Sequence, residues 1–101
     1  MGINSLRPGI DPDETWRYWR EKHTVWAKEK TFPELRKYTV SKVIYTFGPV
    51  DIYAVAQLWF DDVESAQRAI GRVISAPPDE LLAKRVNPPQ RIIVQEEEIE
   101  L

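Results

Sequence analysis

The chain has 101 residues, a net charge of −2, 43% hydrophobic and 30% charged residues, one histidine and no cysteine. A domain of this size buries only about 60–65% of its unfolded surface, which permits one core and favours building a sizeable pocket from two copies of the chain. The composition excludes disulfides, thiolate metal sites and a His-cluster metal site, and it lacks the clustered basic footprint of a nucleic-acid binder.

Residues 3–7 predict a short first strand, closed by Arg7-Pro8-Gly9. Asp11-Pro12-Asp13-Glu14 then has the form of a helix start, because an N-cap Asp, an N1 proline and a following Glu satisfy backbone N–H groups that would otherwise be orphaned. The predicted helix runs from Pro12 to about Lys30 and closes before Phe32-Pro33, since the residue ahead of a proline disfavours α geometry.

Leu35 to Phe47 is rich in Tyr, Thr, Val and Ile and predicts a strand ended by Gly48-Pro49. Ile52 to Phe60 predicts the next strand. A second capping signature at Asp61-Asp62-Val63-Glu64 opens a helix from Val63 to about Val73. Prolines 77, 78, 88 and 89 surround a short predicted helix, Asp79 to Arg85, and Arg91 to about Glu97 predicts a last strand with a solvated acidic end.

The order β-α-β-β-α-β is that of the α+β, ferredoxin-like split βαβ arrangement, one domain over residues 1–101 with both helices on one face of an antiparallel sheet. Along Ile52–Phe60 one face carries Ile52, Ala54, Ala56, Leu58 and Phe60, suited to packing helices. The other carries Tyr53, Val55, Gln57 and Trp59, whose aromatic content suits a face covered by a second subunit. A homodimer is therefore expected. With no signal-peptide-like start and no run of about 18 apolar residues, a cytoplasmic location is expected too.

At about 100° per residue, Trp16, Trp19, His23 and Trp26 fall in one stripe of the first helix. His23 is thus aimed inward. A buried imidazole loses proton affinity and can serve as a general base near neutral pH, or it can be a core histidine with both nitrogens satisfied. Trp16 is expected in the core. Trp19, Trp26, Tyr45, Tyr53 and Trp59 are expected to wall a pocket for a small hydrophobic or aromatic ligand. No hydrolase elbow, phosphate loop or dinucleotide fingerprint occurs, so any catalysis is expected to be acid–base chemistry without metal or organic cofactor.

Several spaced features resemble the EthD family of dimeric α+β barrel proteins. They are Pro-Gly-x-Asp-Pro-Asp-Glu at residues 8–14, Trp19 and His23 as Trp-x-x-x-His, Pro33-Glu34-Leu35-Arg36-Lys37-Tyr38, and Ala56-Gln57-Leu58-Trp59-Phe60-Asp61. The resemblance implies a homodimer with facing sheets and a cleft between sheet and helices in each monomer. It also implies cofactor-independent chemistry on small ring compounds such as lactones, phenols or polyketide intermediates, with His23 in the acid–base position. Gln57 stands where the family commonly has Glu, and an amide orients a carbonyl but takes no proton at neutral pH.

Two functions follow as expectations. One is a lyase or isomerase with His23 catalytic, Gln57 orienting a carbonyl, and Trp19, Trp26, Tyr53 and Trp59 as apolar wall. The other is a non-catalytic binding or accessory module using the same pocket.

Overall fold

Capping residues set where the helices begin. A computed structural model describes residues 1–101, in which Asp11 accepts from the backbone N–H groups of Asp13 and Glu14 and Asp62 accepts from that of Ser65. The elements are β1 (Gly2–Asn4), α1 (Pro12–Tyr18), a π-helical turn (Trp19–His23), α2 (Thr24–Thr31), β2 (Lys37–Lys42), β3 (Ala54–Trp59), α3 (Val63–Ser75), α4 (Glu80–Ala83) and β4 (Gln90–Arg91). The three helical pieces from Pro12 to Thr31 are contiguous, and the following Phe32-Pro33 peptide is cis. No helix is long and apolar enough to cross a membrane.

The strands form one four-stranded antiparallel sheet in the order β2-β3-β1-β4, compatible with the ferredoxin-like α+β class. Register fixes its faces. Tyr38 pairs with Leu58, Val40 with Ala56 and Lys42 with Ala54, while Asn4 and Gly2 pair with Ala54 and Ala56 from the other side. Ala54 and Ala56 are buried, and Tyr38, Val40 and Leu58 pack partly buried beside them. The inner face is therefore narrow in side-chain bulk.

Three expected strands are shorter than their composition suggests. Residues 44–47 carry β-favouring side chains but lie in an exposed loop, with Ile44 and Phe47 more than 90% exposed. β propensity expresses packing on a paired, half-buried sheet, and these residues have no strand opposite them. β4 stops after two residues: Gln90 and Arg91 face Ile3 and Gly2, Ile92 donates to Met1 O, and no facing strand follows. Likewise β1 is three residues, supplemented by an isolated bridge between Leu6 and Val86.

Arg72 ties α3 to the turn between α2 and β2. Its guanidinium donates to the carbonyls of Lys30 and Phe32, both at 3.0 Å, and to the Glu34 carboxylate. The hydrogen bonds from Arg72 hold the Glu34 carboxyl down at about 2. Its favourable pairing is thus complete above the usual carboxylate range and is lost as pH falls through about 2.

The burial of the inner-face alanines gives a direct test. Ala54 is fully buried, and Ala54→Leu is expected to destabilise the fold by about 1–3 kcal/mol through overpacking. An unchanged urea midpoint with an unchanged slope would contradict this packing.

Candidate functional site

The helices, the inner sheet face and the 76–91 segment enclose a cavity of about 470 Å³, a volume within the range of small-molecule sites, roughly 300–1,000 Å³. Its wall is mostly apolar, with Trp26, Ala56, Leu58 and Ile70 among the residues that line it. His23 and Asp79 meet on that wall.

His23 Nδ1 lies 2.9 Å from Asp79 Oδ2, and the Tyr18 hydroxyl donates to Asp79 Oδ1 at 2.7 Å. An ionised carboxylate only accepts, so Nδ1 carries the proton and Nε2 presents a lone pair. Nε2 has no hydrogen-bond partner in the protein, while the side chains of His23 and Asp79 are only 17% and 10% exposed. Trp26 stacks on the imidazole with ring centroids 5.3 Å apart and an interplanar angle of 20°, and Trp19 meets its edge at 5.7 Å and 86°.

The electrostatics follow from burial and partners. Desolvation carries His23 below its ordinary value of 6.5, against the opposing pull of Asp79, and the charge of Arg91 adds to the depression. Burial pushes the Asp79 carboxyl up, but the hydrogen bonds from Tyr18 and His23 outweigh it and leave the group below its ordinary value. Burial, then the bond to Asp79, pushes the Tyr18 hydroxyl up to about 12. Near neutral pH the set is therefore a neutral imidazole, an ionised carboxylate and a neutral phenol.

The π-helical turn makes this convergence possible. Residues five apart in an α-helix point about 140° away from each other at 100° per residue. Tyr18 and His23 flank a segment in which the Thr24 N–H bonds to Trp19 O, an i→i+5 closure that returns residues five apart to one side. Both side chains then reach the same carboxylate.

Asp79 occupies the N-cap position of α4, yet its side chain makes no capping bond and turns instead to Tyr18 and His23. In the sequence it reads as the start of a short helix, and the 140° divergence at uniform α geometry hides Tyr18. The available signal was an Asp ahead of a helix of only four residues, Glu80–Ala83.

The expected wall residues separate. Trp19, His23 and Trp26 line the cavity. Trp19 is also the central core side chain, 1% exposed, whereas Trp16 is only partly buried, which reverses the roles read from the stripe. The indole Nε1 of Trp19 is buried without a hydrogen-bond partner, beside the Tyr38 side chain.

Tyr53 lies one residue before β3, where strand alternation does not hold. It turns to the helix side, its hydroxyl donating to Pro12 O at 2.6 Å and its ring meeting Trp16 and Trp19. Gln57 and Trp59 line a second cavity of about 610 Å³ alongside the 91–96 segment. There Asp61 pairs with Arg36 and Asp62 caps α3, which leaves no free acid–base group from that pair. Tyr45 is 73% exposed and packs edge-on against Phe47, away from both cavities. No group of three or more His, Cys, Asp or Glu side chains is placed to hold a metal ion.

A four-stranded α+β sheet with helices over one face and a histidine-bearing cavity beneath them defines the class. The EthD domain model matches residues 7–73, and the chain belongs to the EthD family. No curated protein and no solved structure matches the chain. The matched region includes His23 and ends before Asp79.

The single histidine makes the site directly readable. In an NMR titration the His23 ring is expected to titrate below 6.5, and Asp79→Asn is expected to lower it further by removing the carboxylate that favours the imidazolium. A depressed folded value means that the unfolded chain binds the proton more tightly. The fold should then lose stability as pH falls from about 6.5 through the folded value, with no such loss above it. Titration at or above 6.5 would remove the case for a neutral buried imidazole.

Proposed function

We propose that this protein is a cofactor-independent acid–base lyase or isomerase acting on a small aromatic, lactone or polyketide-type ring compound. The observation that carries this reading is the His23 ring held between Trp19 and Trp26 in the cavity wall, with Nδ1 committed to Asp79 and Nε2 left unpartnered. In the reaction Nε2 removes a proton from a carbon beside a carbonyl, and Asp79 stabilises the imidazolium that forms. The imidazolium then returns the proton to another carbon in an isomerisation, or to a departing hydroxyl in an elimination. The indoles supply faces on which a flat ring stacks.

A positioned general base contributes about 10²–10⁴-fold. His23→Gln is expected to lower turnover by about that factor while leaving the melting temperature within a few degrees of the parent. The acid limb of the kcat/KM profile should follow His23 and lie below pH 6.5, where the base becomes protonated. An active His23→Gln protein, or an acid limb that ignores the measured His23 value, would overturn the assignment.

A carrier or sensor using the same cavity is the second reading. One observation favours it: Asp79 is the only carboxylate on the cavity wall, and it is already engaged by His23 and Tyr18. Ligand recovered unchanged by mass spectrometry after long incubation would decide for the carrier.

The working unit in this proposal is a homodimer joined through the outer sheet face. Support comes from Trp59, Val55 and Ile3, which are only partly covered there, and from Trp59 lying under the Lys37 ammonium at 4.5 Å. Light scattering is expected to give twice the 11.8 kDa of one chain, and Trp59→Lys to halve it. A parent protein that elutes as a folded monomer would remove the dimer.

A further inference from the structure

The cavity wall carries two arginines, Arg7 and Arg91, that have no acidic partner. Four cations elsewhere in this chain of net charge −2 meet carboxylates: Arg36 with Asp61, Lys42 with Asp13, and Arg68 and Arg72 with Glu34. The one carboxylate on the wall, Asp79, is shared between His23 and Tyr18. The cavity is thus a positive site on a weakly negative protein.

The two guanidiniums differ in what holds them. Arg7 donates through Nε to the carbonyls of Ala83 and Val86 at 2.9 and 3.0 Å, so it clamps the 83–86 turn. Arg91 has no side-chain hydrogen bond or ion pair in the protein, yet the pairing of β4 with Gly2 fixes its backbone beside the cavity. Arg91 and His23 line the same cavity, so a ligand lying against the ring can reach both.

We infer that the ligand of this cavity is a small ring compound bearing a carboxylate, with the carboxylate held by Arg91 and the ring lying between the indoles and the inner sheet face. The inference rests on the small-molecule reading of the cavity and names the chemical class it takes. A guanidinium presents a planar fork that matches a carboxylate's two oxygens, and the apolar part of the wall accepts the ring. Carbon-acid chemistry at His23 is compatible with this placement, because burial first, with the guanidinium's charge adding to it, disfavours the imidazolium.

Benzoate and its neutral isostere benzamide separate charge from shape. Measured by tryptophan fluorescence at pH 7.5 and low salt, benzoate is expected to bind about fivefold more tightly, the size of a solvent-screened charge pair. The preference is expected to vanish in Arg91→Gln, to survive in part in Arg91→Lys, and to shrink at high salt. Equal binding of the two probes, or a benzoate preference unchanged in Arg91→Gln, would overturn the carboxylate inference and leave the small-molecule cavity standing. Binding of neither probe, with the fold intact by circular dichroism, would overturn both.

Discussion

Much of this molecule depends on the absence of side-chain bulk along the inner face of β3. With only methyl groups at Ala54 and Ala56, room is left above the strand, and Trp19 fills part of it as the one large, fully buried side chain. Interiors pack at near-crystalline density, so a stretch of alanines must be matched by a bulky partner or left as a void. Both outcomes occur here. Over Ala54 the space is filled by Trp19 and Tyr53, while beside Ala56 and Leu58 it stays open and becomes the cavity. Core and site are thus two consequences of one sequence pattern, and the domain holds a pocket within a single chain despite its small size.

The second constraint is electrostatic. Asp79 is a partly buried anion, and such a group is tolerated only with donors around it. Tyr18 and His23 are those donors, and the π-helical turn between them aligns both on the one carboxylate. The arrangement costs the first helix its α regularity, since an i→i+5 closure is rarer than an α turn. In return it fixes the ring of His23, selects its tautomer and leaves Nε2 without a partner in the protein. Uniform α geometry would keep His23 on the Trp stripe but send Tyr18 away from it.

Much of the fold was legible because its signals are local. The capping sets at Asp11 and Asp62 mark the helix starts, and strict alternation from Ala54 to Leu58 marks the inner face. His23 on the aromatic stripe was legible for the same reason. What was hidden is non-local. Whether residues 44–47 or 92–97 become strand depends on having a facing strand, which no window of sequence contains. Which of Trp16 and Trp19 is the more buried depends on what packs against each, and a stripe drawn at a fixed 100° step does not contain that. Tyr53 lies at the end of the sheet, just before β3, and its side chain turns to the helix side to donate to Pro12 O, a long-range partner that strand alternation does not reveal. Asp79 was read as the first residue of a short helix, whereas its side chain turns to Tyr18 and His23.

The division of the cavity along the chain bears on specificity. Trp19, His23 and Trp26 lie within residues 7–73, the region that defines EthD membership, whereas Asp79 and Arg91 lie beyond it. His23 and its stacking rings thus lie within the matched domain. Asp79 and Arg91 come from the segment that runs from the end of α3 through β4, which packs back through the Leu6–Val86 bridge and the Arg7 clamp. That segment is mostly loop with a helix of four residues, and loops change their chemistry at little cost to a fold. A change there would retune which anion the cavity accepts, and how basic His23 is, without disturbing the alanine face on which the helices rest.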